Sequence, residues 1–178
     1  QKTFELSSLG LDNNKPTIIV SGGSQGSIAI NTVVSSAIPV ILSMGYQIIW
    51  QTGKTSYERF ATKHKNTEGV YMFAFSPELP KMLSKCKLAI TRAGAMTIAE
   101  LEENCIPAIL IPLPTAAENH QYYNALAQQE KGVAMLLEQK DLSLLTLVES
   151  LKKMSENLAY YQDNLFSLPK NQAAEKIV

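Results

Sequence analysis

The chain has 178 residues, with 16 basic and 16 acidic side chains and a formal net charge of zero. That length fits one domain able to bury a sizeable core without disulfide or metal staples, and the charge balance argues against a nucleic-acid groove or a membrane-binding patch. Cys86 and Cys105 lack CxxC spacing and read as small buried hydrophobes of a reducing compartment. No apolar run approaches a membrane span and no secretory pattern opens the chain, so a soluble protein is expected. The first residue is Gln1 rather than Met, which suggests a part of something larger.

Residues 1–15, polar and carrying Gly10, Asp12, Asn13 and Asn14, read as a frayed lead-in or half of an interdomain connection, with a single domain over 16–178. Thr17 to Val20 is a β-branched run predicting a strand; a glycine turn follows, then apolar residues at helical spacing from Ile28 to Leu42. Tyr46 to Gln51 predicts a second strand, Tyr57 to Lys65 a polar helix, Val70 to Phe73 a third strand and Leu79 to Ser84 a short helix. The cycle repeats with strand Leu88 to Thr91, helix Thr97 to Asn104, strand Ala108 to Ile111 and helix Asn119 to Lys131, which Gly132 ends. Ala134 to Leu137 predicts a last short strand, and the remainder from Leu142 reads as helical apart from a break near Pro169. Strands alternating with helices imply an α/β fold, a Rossmann-like, doubly wound parallel sheet of about six strands covered on both faces.

In such a sheet ligands lie beyond the carboxyl ends of the strands, where crossovers diverge to opposite faces. Three loops fall there. Gly22-Gly23-Ser24-Gln25-Gly26 is either a phosphate cradle or a tight strand-to-helix turn. It is not the full GxGxxG fingerprint, and no acidic residue stands roughly 20 positions on, where Trp50-Gln51-Thr52-Gly53 ends the second strand; this argues against NAD or FAD. The absence of GxxxxGK[ST] argues against a P-loop ATPase. In the second loop, Arg92-Ala93-Gly94-Ala95-Met96-Thr97-Ile98-Ala99-Glu100, Gly94 lets backbone N–H groups approach a ligand closely. Thr97-Ile98-Ala99-Glu100 also fits a capping box, the favoured reading of that tetrapeptide alone; otherwise the Glu100 carboxylate accepts from vicinal ribose hydroxyls. Arg92 pairs with a phosphate or binds backbone carbonyls to hold a loop. The third loop, Pro112 to Asn124, is rich in donors and acceptors that suit a sugar, against a plain reading as helix cap and solvated face. His120 reads as structural or surface, His64 as exposed, and Trp50 as core packing. No Ser-His-Asp arrangement, HExxH or paired metal ligands are present in the sequence.

Together, Gly22-Gly23-Ser24-Gln25-Gly26, Phe75, Arg92 to Glu100, Pro112-Leu113-Pro114 and His120-Gln121-Tyr122-Tyr123-Asn124-Ala125 resemble the C-terminal domain of the MurG family over residues 15–178. These GT-B glycosyltransferases, with two Rossmann-like domains facing across a cleft, add N-acetylglucosamine to the lipid-linked muramyl-pentapeptide precursor of bacterial peptidoglycan. The resemblance implies that this chain holds UDP-N-acetylglucosamine. Ser24 contacts the diphosphate, the main chain at Ser76 reads the uracil edge, and Ala95, Met96 and Thr97, continuing into Ile98 and Ala99, wrap the phosphates. Glu100 binds the ribose hydroxyls and Gln121, assisted by Asn124, the sugar; Gly22, Gly23, Gly26, Arg92 and Gly94 support the phosphate loops. Ser76-Pro77-Glu78-Leu79 departs from the family's more usual Ile-Asp-Asp-Met.

Absent are the family's N-terminal acceptor domain, with its proposed histidine base and membrane-facing patch, and the Asn-Pro-Val-Arg segment before the second domain. The resemblance therefore implies a partner in that N-terminal domain, a lipid-linked acceptor reached through it at the cytoplasmic side of the membrane, no nucleic acid, no metal or other cofactor, and no catalytic residue in this chain. Donor binding without transfer is expected. Two alternatives stand beside it: a naturally split subunit that works beside a membrane-bound partner, and an epimerase acting on the same nucleotide sugar, for which no acid and base pair is evident.

Overall fold

Side-chain alternation along the strands decides which helices each strand can bury. The computed structural model describes residues 3–169. Strands β1 (Thr17–Ser21), β2 (Gln47–Gln51), β3 (Val70–Phe73), β4 (Leu88–Thr91), β5 (Ala108–Leu110) and β6 (Ala134–Leu136) form one six-stranded sheet in the order β3-β2-β1-β4-β5-β6. All five pairings are parallel. Helices α1 (Ile28–Ser43), α2 (Tyr57–His64), α3 (Leu79–Leu83), α4 (Ala95–Glu103) and α5 (His120–Glu130) connect successive strands, and α6 (Leu144–Glu156) and α7 (Leu158–Phe166) follow the last one.

Ile18, Val20, Ile48, Trp50, Ile90 and Ile109 point to one face, against Ile30, Val34 and Ile41 of α1, Phe60 of α2 and Leu147 and Leu151 of α6. Ile19, Ile49, Ala89, Ala108 and Leu110 point to the other, against Met82 and Leu83 of α3, Leu101 of α4 and Ala125 of α5. Every residue of β1, β2, β4 and β5 is buried, so the strands carry near-continuous apolar runs rather than an alternating pattern. The first two crossovers, α1 and α2, cover one face and the next three the other. The reversal falls between β1 and β4, which pair in the middle of the sheet, and it opens a crevice beyond their carboxyl ends.

Several local expectations change. Residues read as a frayed lead-in are packed: Leu6–Leu9 forms a 3₁₀ turn, Leu6 and Leu11 join the second apolar cluster, and the Asp12 N–H donates to Gln47 Oε1 at 2.7 Å. Helix α4 begins at Ala95 rather than Thr97, and the last helical stretch divides at Asn157. The expected break near Pro169 falls at the edge of the described residues. His64, expected to be exposed, is half-buried with Nε2 2.6 Å from Ser35 Oγ and its ring 5.8 Å from that of Trp50. Cys86 is buried as expected, whereas Cys105 is half-buried in a turn at φ 54°.

Candidate functional site

The corner between β1 and α1 is closed by its neighbours. Ser27 caps α1, its Oγ accepting from the Ile30 N–H at 3.1 Å. Gly26 and Gly53 lie back to back with φ of 89° and 87°: a Cβ on Gly26 would stand 2.1 Å from the Thr52 carbonyl oxygen, and one on Gly53 2.3 Å from that of Gln25. Only glycine combines that backbone with that approach. The β2–α2 loop grips further, the Lys54 N–H donating to the Ser24 carbonyl at 3.3 Å and Thr55 Oγ1 to that of Gln25 at 3.1 Å. Behind it, Asn31 accepts from Trp50 Nε1 at 2.9 Å and donates to the Thr52 carbonyl at 2.8 Å, wholly buried.

The corner between β4 and α4 is open. Gly94 is the N-cap residue and no side chain caps the helix. Thr97 and Glu100 consequently occupy the third and sixth helical positions, neither of which is a cap, so the capping box does not form. The Glu100 carboxylate takes part in none of the side-chain hydrogen bonds or ion pairs of the described residues. Four N–H groups at such a helix start have no intrahelical acceptor, and the helix dipole adds partial positive charge there.

Arg92 resolves to the second of its two sequence readings. Nη1 donates to the Ile111 and Pro112 carbonyls at 3.2 and 3.1 Å, and Nη2 to Ser27 Oγ at 2.9 Å. It thereby ties the end of β4 to the β5 loop and to the cap of α1. Burial lowers its pKa from the ordinary guanidinium value, but a guanidinium stays protonated in proteins. It has no carboxylate partner among the described residues, so its positive charge is left uncompensated near the crevice.

Gln121 is oriented by two backbone donors. Its Oε1 accepts from the N–H groups of Ala93 and Leu113, both at 3.0 Å, which assigns the other end of the amide as Nε2. That NH2 lies near Gly94, where an added Cβ would be 3.9 Å away. Asn124 works from behind, donating to the Ala93 carbonyl at 3.0 Å. On the opposite wall the buried Gln51 receives the Ser76 N–H at 3.2 Å and donates to Ser21 Oγ at 3.1 Å, and Ser21 Oγ also accepts from the Gly23 N–H at 3.2 Å.

These elements enclose a cavity of about 820 Å3 at the switch point, lined by Gly22 to Gly26, Gln51, Phe75, Arg92, Gly94, Met96, Thr97, Glu100 and Gln121, with Ile19, Leu79, Leu83 and Leu101 supplying apolar surface. Of the residues marked from sequence, Ser24, Met96, Thr97, Glu100 and Gln121 meet there with the supporting glycines and Arg92. Ala95, Ile98, Ala99, Ser76 and Asn124 do not line it: Ile98 packs into the second apolar cluster, Ala99 faces solvent, and Asn124 braces Ala93. Gln51, Ser21 and Gly53 went unmarked, although Gln51 stands where a dinucleotide fold carries its ribose-binding acid. Among the described residues no group of three or more His, Cys, Asp or Glu side chains is placed to hold a metal, and no helix is long and apolar enough to cross a membrane.

Residues 17–177 match the model of the glycosyltransferase family 28 C-terminal domain. The chain belongs to that family. It is a MurG-like family 28 domain, 40% identical over 161 residues to the UDP-N-acetylglucosamine--N-acetylmuramyl-(pentapeptide) pyrophosphoryl-undecaprenol N-acetylglucosamine transferase of Carboxydothermus hydrogenoformans, covering 84% of this chain and 43% of that one. The transferase of the same name from Synechocystis is 36% identical, over 91% of this chain and 44% of its own length. The chain thus spans less than half the length of these relatives. The family 28 domain also superimposes on Acinetobacter baumannii MurG with a TM-score of 0.74 at 24% identity, covering 92% of this chain and 48% of that structure. Against the glycosyltransferase VinC in complex with DTDP the TM-score is 0.66 at 17% identity, over 99% of this chain and 44% of the other. At such identities the superpositions establish the fold, one half of a GT-B glycosyltransferase.

Proposed function

We propose that this domain holds the UDP-N-acetylglucosamine donor of an inverting N-acetylglucosaminyltransferase of peptidoglycan synthesis, and that the acceptor and the general base belong to a second domain. The observation carrying this reading is the uncapped start of α4, which faces the glycine loop across the cavity with Glu100, unpartnered among the described residues, one turn along the same wall. A diphosphate between Ser24 and the N–H groups of Ala95, Met96 and Thr97 gains hydrogen bonds and dipole stabilisation without a metal. Arg92 adds charge to the field rather than a ligand bond. Glu100, ionised and acceptor-only, suits the two vicinal hydroxyls of a ribose. The Nε2 donors of Gln121 suit a sugar hydroxyl. Uracil falls toward Phe75 and Ser76; with the Ser76 N–H on Gln51 and its carbonyl already taking the Leu79 N–H at 3.3 Å, the second lone pair of that carbonyl is the group left for a base N–H.

In transfer, the same helix start offsets the charge that develops on the departing UDP. Deprotonating the acceptor hydroxyl needs a base, which this reading assigns to the other domain, at the cytoplasmic face of the membrane. The isolated chain then binds donor and transfers nothing. Isothermal titration with UDP-N-acetylglucosamine tests this: saturable heat that is lost in Glu100→Ala supports it, and either no heat or an unaffected variant removes it.

A further inference from the structure

Lys54 follows Gly53 at the end of β2. Its main chain is tied to the glycine loop through the Ser24 carbonyl, and its ammonium rests 5.1 Å from the centroid of the Phe75 ring. Ser24 and Phe75 both line the cavity, which places an exposed cation on the rim between them. Lys54 joins none of the four ion pairs among the described residues. Arg92, the one cation in the cavity wall among the described residues, has its contacts committed to two carbonyls and Ser27. Lys54 differs: an ammonium over a ring keeps its hydrogen-bond donors, and its four-carbon stem is flexible.

We propose that Lys54 is a binding residue for the phosphates of a nucleoside diphosphate, its ammonium leaving the Phe75 ring to meet phosphate oxygens beside Ser24. This rests on the donor-binding reading of the same cavity. A compact ammonium suits a phosphate as a point charge, and from an exposed rim its contribution is salt-sensitive and expressed partly in the association rate.

The test is titration of the 178-residue chain, wild type, Lys54→Met and Lys54→Arg, with UDP and with uridine, at low and high salt, followed by amide chemical shifts. Lys54→Met is expected to weaken UDP by roughly fivefold at low salt, the gap narrowing as salt rises, with uridine unchanged and Lys54→Arg near wild type. Matching melting curves establish that the variants are folded, as an exposed side chain with a single ring contact predicts. Equal affinity of wild type and Lys54→Met for UDP overturns the proposal alone, as does an equal loss for UDP and uridine, which would make Lys54 a prop for Phe75. A wild-type chain that binds no UDP overturns the reading of the cavity itself, and this proposal with it.

Discussion

The two strand-to-helix corners that face each other across the crevice solve the same problem in opposite ways. At β1–α1 every constraint is internal: Ser27 caps the helix, two glycines interlock, and the neighbouring loop binds the carbonyls. At β4–α4 the helix start is uncapped and the Glu100 carboxylate has no partner among the described residues. A satisfied corner contributes stability, whereas on the proposed donor-binding reading an unsatisfied one contributes affinity, since polar groups left open within a fold are available for a ligand. Glycine is used at both for different ends, at Gly26 because the protein approaches it and at Gly94 because little does.

The sharpest break in this contrast is Gly26→Ala, whose methyl group would overlap the Thr52 carbonyl on a left-handed backbone; chemical denaturation should show a loss of about 3 kcal/mol or more. Gly94→Ala, at φ −70° and with only an ordinary contact to Gln121 Nε2 beside it, should change stability by less than about 1 kcal/mol and reduce donor affinity instead. Equal destabilisation by the two would dissolve the distinction. Arg92→Ala, removing three hydrogen bonds that span both corners, should cost roughly 2 to 4 kcal/mol in the same assay. Glu100→Gln should leave the melting temperature unchanged and weaken UDP-N-acetylglucosamine by about tenfold, the loss of one charged hydrogen-bond acceptor. A fall in stability would show that Glu100 has a structural partner after all.

The smallest effect belongs to His64, which lines neither corner. Burial, with a lesser contribution from Lys63, lowers its pKa below 6.5 in the folded chain, so the unfolded chain binds the proton more readily. Its contribution is complete above about pH 6.5 and is lost as pH falls through the lower folded value. Denaturation at pH 7.5 and pH 5 should show a modest acid-side loss that His64→Gln removes.

Much of the architecture was legible because β-branched runs and glycine breaks are local signals: β3 and β4 have the bounds predicted, and the remaining strands end within a residue of them. The start of α4 was misplaced because Thr97-x-x-Glu100 imitates a cap, whereas Gly94 has no side chain with which to announce one. Leu6 and Leu11 looked like lead-in because their partners come from elements much further along the chain. Within the crevice, Ser24, Thr97, Glu100 and Gln121 were found by motif and resemblance. Gln51, Gly53 and Lys54 were not, since each draws its meaning from a loop distant in sequence. Gly53 is informative only once Gly26 is seen against it, and the same holds for His64 beside Ser35 and Trp50.

The buried link from Trp50 through Asn31 to the Thr52 carbonyl gives the domain a built-in reporter. The chain contains one tryptophan. Its indole proton, fully enclosed and bonded to Asn31, should exchange with deuterium only on global opening, giving a single downfield resonance whose lifetime measures the stability of the whole fold. Because Asn31 also holds the carbonyl against which Gly26 rests, that resonance lies two hydrogen bonds and one backbone contact from the glycine loop and should shift when the loop takes up a ligand, with no label added to the protein.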